Sequence, residues 1–289
     1  MATVTVTAAG ETVTASYSTT TTTPSAAGWY RTVGNTGMAA VGTTTTMLAV
    51  RTITSDLTVT SRLYRQKIVL GGNQLILGTG GILEQCEIHS TRNAGQGCVR
   101  LIGKGQQILN CDLIIESDTS GESMGIFADA LDGVTIRSLR QTGGSMGMWL
   151  DGPAGAAPSI VDSWFLSSMV GGQAHHDGFT RRAGTAPLTI TNSRIWMGDQ
   201  YVTAAVFLQN TYGPPGGLTL TNSLLEGSGY LLQLDETVSA AIINNRIRST
   251  GWGPTEVNQR IPSFQWSENY TYNAAGVDGK GTLLANPNP

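Results

Sequence analysis

Charged residues are scarce in this 289-residue chain: Lys, Arg, Asp and Glu together make up 13% of it, and its net charge is −3. Soluble domains carry about 25% charged residues. Without a basic run or a positive surface, the chain lacks what a nucleic-acid partner requires, so none is expected. No apolar run approaches the roughly 18 residues of a membrane-spanning helix, so membrane insertion is not expected either.

Cysteine is also scarce, with three residues and no Cys-x-x-Cys pair. Cys86, Cys98 and Cys111 therefore predict neither a zinc site nor a disulfide framework, and we expect reduced, buried thiols. We expect no metal and no cofactor. The first residues lack the basic and apolar regions of a signal peptide, which favours synthesis in a cytoplasm without export by the usual secretory route.

Threonine is abundant at the start of the chain, where the first 50 residues contain 16 Thr and only two charged residues. Val4, Val6 and Val13 alternate with Thr, a pattern that predicts short strands. The composition changes after about residue 55. We therefore divide the chain into a Thr-rich head at 1–55, a body at 56–275 and a Pro-containing tail at 276–289.

The body contains a repeat of the form apolar–x–Asn-like–x–x–apolar, at intervals of 22 to 30 residues. A second short alternating stretch precedes the copies, and helical periodicity is not sustained. A possible earlier copy spans Val59–Tyr64. The eight copies are Leu83–Ile88, Ile108–Leu113, Ile136–Leu139, Ile160–Phe165, Ile190–Ile195, Leu220–Leu225, Ile242–Ile247 and Trp266–Thr271.

Periods of 20 to 50 residues indicate a solenoid, and these periods contain short strands joined by turns. We predict an all-β, right-handed parallel β-helix of about eight coils. Coils stack about 4.8 Å apart, so the Asn-like residues would form a hydrogen-bonded column at a strand corner. The column comprises Gln85, Asn110, Ser138, Asp162, Asn192, Asn222, Asn244 and Glu268. Cys86 and Cys111 would stack beside it.

The densest group of chemically active side chains lies between His175 and Arg182. Asp177 and Asp199 are candidates for the acid and base of glycoside hydrolysis. Arg182 or His176 is a candidate for neutralising a uronate and abstracting a proton. These four residues are the candidate catalytic set, and stacked coils would bring them to one lateral face.

Aromatic side chains near this segment are candidates for contact with sugar rings. Trp149, Phe207 and Trp196 supply flat apolar faces, and with Asp151 they are the candidate glycan-binding residues. Trp149 alternates with the inward candidates Met148 and Leu150, so we expect its side chain to point outward. The alternative to a chemical role is that His175 and Asp177 hydrogen-bond a turn and the arginines are solvated.

The repeat, its Asn column and the His-x-Asp-Gly element at His175–Gly178 resemble the pectate-lyase-like β-helix superfamily, and in particular members encoded by phages and actinobacteria. The polygalacturonase-type hydrolases of that superfamily have a second Asp where this chain has Gln200, and a histidine where it has Ser228. The resemblance therefore favours a structural role over that activity.

The resemblance implies a phage virion structural protein, of the tail-spike or minor-tail type or a head decoration, that touches glycan on the host surface. Such proteins dock onto other virion proteins through a short head, and they are usually homotrimers. The alternative is an enzyme that degrades host envelope polysaccharide as a hydrolase or lyase. An enzyme would bring Asp177 and a second carboxylate together in a groove.

Overall fold

The computed structural model describes residues 2–8, 11–17, 36–92, 95–116, 123–152, 158–166, 176–182, 184–185, 187–198, 202–227 and 229–288. For residues 2–8 and 11–17, His176 and Val202 this description covers the backbone alone. The protein is all-β, with three short 3-10 helices at Gly37–Val41, Thr45–Met47 and Val277–Gly279 in the described part. At the start of the chain, β1 (Ala2–Ala8) and β2 (Glu11–Tyr17) pair antiparallel, which confirms the strands predicted there.

The body is a parallel β-solenoid of about eight stacked coils, as predicted. Its strands form three sheets, and each coil contributes one strand to each sheet in turn. Sheet 1 contains β4 (Leu57–Val59), β7 (Leu75–Leu77), β10 (Val99–Leu101), β13 (Met124–Ala128), β16 (Met146–Leu150), β19 (His176–Arg181), β22 (Val202–Leu208), β25 (Tyr230–Leu234) and β28 (Gly253–Val257).

The strands of the other two sheets are stacked along the axis in the same way and pair parallel, except for the last strand of sheet 3. Sheet 2 contains β5 (Arg62–Tyr64), β8 (Ile82–Glu84), β11 (Gln107–Leu109), β14 (Thr135–Arg137), β17 (Ser159–Val161), β20 (Leu188–Thr191), β23 (Leu218–Thr221), β26 (Ser239–Ile243) and β29 (Ser263–Ser267). Sheet 3 contains β3 (Ala49–Thr52), β6 (Gln66–Gly71), β9 (Glu87–Ser90), β12 (Asp112–Ile115), β15 (Arg140–Gly143), β18 (Trp164–Leu166), β21 (Arg194–Trp196), β24 (Leu224–Gly227), β27 (Arg246–Ser249), β30 (Tyr270–Tyr272) and β31 (Lys280–Leu283).

The core runs along the solenoid axis and consists of the inward side chains of the three sheets. Because side chains alternate along a strand, each coil places its aliphatic residues in columns that continue from coil to coil. One such column is almost fully buried and consists of Leu83, Ile108, Ile136, Ile160, Ile190, Leu220 and Ile242.

The Asn-like column forms the corner between sheets 2 and 3. All eight of its members have a left-handed backbone, with φ between +52° and +56° for Gln85, Asn110 and Glu268 and similar values for the rest. Asn and Asp adopt this region more readily than most residues because their short side chains hydrogen-bond locally. The side chains also join coils: Asn192 Nδ2 donates to Asp162 Oδ1 at 2.6 Å.

The first corner differs from the prediction. It lies at Arg65, with φ +50°, between β5 and β6, and so falls four residues after Ser61, the corner position of the possible copy at Val59–Tyr64. Arginine has no intrinsic preference for this backbone region, so the Asn-like pattern did not identify it. The Arg65 side chain still joins the column, because its Nε donates to Gln85 Oε1 at 2.9 Å.

A second, buried column lies one residue after each corner. Cys86 and Cys111 begin it, as predicted, and both are free thiols. Further along, a side-chain oxygen accepts from the backbone N–H of the preceding coil: Ser163 N donates to Ser193 Oγ and Ser193 N to Ser223 Oγ, each at 3.2 Å. These amides lie at the turn between sheets, so the side-chain ladder satisfies donors that would otherwise be buried without partners.

Segments from both ends of the chain lie against the solenoid. Residues 36–47 follow its side, where Met38 is buried and Thr43 Oγ1 donates to Gln85 Oε1 at 2.8 Å. β3 then pairs with β6, and at the other end β31 pairs antiparallel with β30. Asn288 Oδ1 accepts from Ile261 N at 2.8 Å, so the C-terminal residues cover the last coil.

Candidate functional site

The segment predicted to carry chemistry is described from Asp177 onward. His175 and Asp199 lie outside the described residues, and so does the side chain of His176, whose backbone begins β19. The proposed set of His176, Asp177, Asp199 and Arg182 is therefore described with side chains only at Asp177 and Arg182.

Asp177 is 2% exposed and lies at a register shift between β19 and β22. Its Oδ2 accepts from Thr180 Oγ1 at 2.7 Å, and its Oδ1 accepts from Ala204 N at 3.0 Å. The next residue, Gly178, packs so closely that a Cβ there would lie 2.3 Å from Ala205 O. The carboxylate thus joins β19 to β22 beneath the surface.

Arg182 lies outside the core, directly after β19. Its Nε donates to Asp151 Oδ1 at 3.0 Å, and its Nη2 pairs with Asp151 Oδ2. The guanidinium lies 3.9 Å from the centre of the Trp149 ring and 5.2 Å from that of Tyr212. Trp149 points outward as predicted, but Arg182 covers one side of its ring.

The other predicted aromatic residues occupy different positions. Phe207 lies on β22 of sheet 1 and is 7% exposed. It is two coils from Trp149 and in register with it, through Thr180 on the strand between them. Trp196 stands on β21 of sheet 3, so it does not share a face with Trp149 and Phe207. Among the described residues, Tyr212 and Trp252 are the most exposed aromatic ones, at 67% and 69%; neither was a predicted binding residue.

Polar residues directly after the strands of sheet 1 form a row that we call the polar edge. Each is aligned with its neighbour by the coil spacing, as shown by hydrogen bonds from Gln209 N to Arg181 O and from Asp235 N to Leu208 O. The row contains Asp151, Arg182, Gln209, Asp235 and Asn258, which follow β16, β19, β22, β25 and β28.

A groove of about 440 Å³ opens on the last three coils of the polar edge. We call it the edge groove. It is lined by Phe207, Gln209, Asn210, Thr211, Asp235, Glu236, Asn258 and Gln259. The lining combines carboxylates, side-chain amides, one hydroxyl and the edge of a mostly buried aromatic ring, and the exposed Tyr212 comes next in the sequence.

Amide groups hold both carboxylates of the edge groove in place. Gln259 Nε2 donates to Glu236 Oε1 at 2.6 Å, and Asn210 Nδ2 donates to Glu236 Oε2. Asn258 Nδ2 donates to Asp235 Oδ1. Each amide uses one N–H in this way and keeps a second N–H and its oxygen for a ligand. The groove therefore presents oriented donors and acceptors.

The pKa of Asp235 is raised above that of an ordinary aspartate. Burial is the largest cause, the hydrogen bond from Asn258 acts against it, and the negative charge of Glu236 raises the pKa further. Carboxyls with raised pKa values in grooves are frequent among functional groups.

Sequence reasoning missed the edge groove, although a signal existed. The pairs Gln209-Asn210, Asp235-Glu236 and Asn258-Gln259 occur at corresponding places in three successive coils. Alignment of these pairs at the repeat spacing would have placed six polar side chains together. Taken singly, each pair is typical of an ordinary turn.

Among the described residues, no three His, Cys, Asp or Glu come together as a metal site. No helix in that part of the chain is long and apolar enough to cross a membrane. No family model, curated protein or solved structure matches the chain.

Proposed function

We propose that this chain is a structural β-solenoid protein that binds glycans along its polar edge. The observation that carries the proposal is the edge groove with its oriented amides and carboxylates, whose lining residue Thr211 is followed in the sequence by the exposed Tyr212. Sugar hydroxyls both donate and accept hydrogen bonds, as side-chain amides do. The C–H face of a sugar ring is apolar and packs on an aromatic ring.

The rigidity of the scaffold supports the same proposal. Gln209 and Asp235 follow β22 and β25, which are each hydrogen-bonded to strands on both sides, and Asn258 follows β28, which pairs with β25. A preformed site loses little conformational entropy when it binds.

The test measures binding of the wild type and of Tyr212→Ala to immobilised cell-envelope oligosaccharides, and Tyr212→Ala should bind more weakly. Tyr64→Ala is the matched control, since Tyr64 is also exposed and also lies near arginines, with Arg62 at 4.5 Å from its ring centre. Loss of one stacking ring is worth about 1.4 kcal/mol or more, which is about tenfold in affinity. Absence of binding, or equal loss in both variants, would contradict the proposal.

The sequence resemblance supports a more specific form of the proposal, in which the protein belongs to a phage virion and meets host-surface polysaccharide. In this form the head binds other virion proteins and the chain assembles as a homotrimer. Copurification with particles on a density gradient tests the location. A solution mass three times the 30.4 kDa of the chain tests the trimer.

A polysaccharide hydrolase is the second candidate, favoured by the raised pKa of Asp235 beside Glu236 in the edge groove. A carboxyl of raised pKa serves as a general acid in such enzymes. Release of reducing ends from a bound glycan by the wild type but not by Asp235→Asn would support the enzyme. Binding without release would support the structural role, and Asp177→Asn tests the sequence-based assignment in the same assay.

A further inference from the structure

The edge groove carries negative charge without a cation in its lining. Among the described residues that line it, Asp235 and Glu236 are the only ionisable ones, and the others are amides, a hydroxyl and an aromatic ring. Glu236 is exposed and Asp235 half-buried, so both carboxylates are accessible to a ligand. The hydrogen bonds from Asn210, Asn258 and Gln259 orient these charges without neutralising them.

Two arginines on the same side of the solenoid as the groove are paired with acids. Arg182, on the coil before the groove, pairs with Asp151, and Arg100, four coils before β22, pairs with Asp129. Arg260 is exposed and follows Gln259 directly, but it is not among the residues that line the groove. A negatively charged ligand in the groove would therefore face two carboxylates, with no guanidinium or ammonium group among the described lining residues to receive it.

We propose that the edge groove selects neutral or amino sugars and rejects sugars that carry a carboxylate or a sulfate. The proposal rests on the function proposed above and specifies its ligand class. Neutral hydroxyls donate to Asp235 and Glu236 and accept from the amides, whereas a uronate brings a third negative charge into contact with two fixed ones. An ammonium group on an amino sugar is attracted by the same pair.

The test compares three unbranched oligosaccharides of equal length, built from galactose, glucosamine and galacturonate, by calorimetry at low ionic strength. For the wild type we expect galacturonate to bind at least tenfold more weakly than galactose, and glucosamine to bind at least as tightly. The difference narrows as salt is added, because the Debye length falls from about 30 Å at 0.01 M to about 8 Å at 0.15 M.

The double variant Asp235→Asn, Glu236→Gln keeps the shape and hydrogen-bonding capacity of the groove and removes its charge. It should bring the galacturonate affinity to within threefold of the galactose affinity. Asp132→Asn is the control, because Asp132 pairs with Lys104 at 3.2 Å and follows β13, four coils away, and it should leave the tenfold difference unchanged. Circular dichroism and melting temperature establish that each variant is folded.

The outcomes separate the two proposals. If none of these sugars and no envelope glycan binds, the proposed function fails and the inference fails with it. If galactose and galacturonate bind equally to the wild type, the function stands and the inference is wrong. If galacturonate binds more tightly and Arg260→Gln abolishes that preference, Arg260 governs selectivity and the inference is again overturned.

Discussion

Replacing Ser193 by alanine removes one link from the buried ladder beside the coil corners. Ser193 is fully buried; its Oγ accepts from Ser163 N at 3.2 Å and donates to Thr191 O at 3.0 Å. Thr191 O keeps a second donor, Asp162 N, at 3.1 Å. The cost is therefore mainly the Ser163 N–H, which is left buried and without its acceptor.

An unsatisfied buried donor costs about 1–3 kcal/mol, and about 1 kcal/mol lowers the melting temperature of a large domain by roughly 2–4 °C. We expect Ser193→Ala to lower the free energy of unfolding by about 1–3 kcal/mol in urea titrations and calorimetry. Ser193→Cys should lose less, because Cys111 Sγ accepts from Cys86 N at 3.5 Å in the same column.

The control is Ser263→Ala, at an exposed position on β29, which should change the stability by less than about 0.5 kcal/mol. If Ser193→Ala were no more destabilising than this control, the ladder would have no role in satisfying the corner amides, and the reasoning would be refuted.

Three further predictions follow from single residues. Asn192→Val should lower the free energy of unfolding by about 1–2 kcal/mol or more, since the φ of +53° there is unfavourable for a β-branched side chain. Asn192→Gly should lower it by less. Equal losses of unfolding free energy for the two variants in urea titrations would contradict the role of the backbone. A thiol reagent at pH 8 should leave Cys98 and Cys111 unlabelled in the native protein, because burial raises the pKa of Cys98 to about 12 and that of Cys111 well above its usual value; rapid native labelling would contradict their burial. Asp235→Asn should raise the free energy of unfolding at pH 7 and leave it unchanged at pH 3. The reason is that a carboxyl whose pKa is raised on folding favours the folded state at low pH and loses that contribution as the pH rises through its folded pKa. Urea titrations at both pH values check the sign, and a lower free energy of unfolding at pH 7 would refute it.

The coil architecture could be predicted from the sequence because its corners have a local cause. Asn, Asp and Ser at the third position of the repeat tolerate a left-handed backbone, and alternation on either side identifies the flanking strands. Arg65 was missed because its corner depends on the hydrogen bond to Gln85 on the next coil and not on the backbone preference of arginine itself.

The lateral surface was harder to predict, because it depends on which of three sheets receives each outward side chain. Trp196 follows a corner and belongs to sheet 3, whereas Phe207 belongs to sheet 1, although only 11 positions separate them in the sequence. The pairing of Arg182 with Asp151 spans one coil of 31 residues, a coil whose length differs from that of its neighbours. Which residues of successive coils lie side by side therefore follows from the packing of the whole body.

The most direct test of glycan binding at the polar edge is a crystal structure of the protein with the tightest-binding neutral oligosaccharide. The account predicts sugar hydroxyls within hydrogen-bond distance of Asp235 and Glu236, with a ring against Tyr212. An oligosaccharide bound on sheet 2 or sheet 3, with the edge groove containing only water, would contradict it.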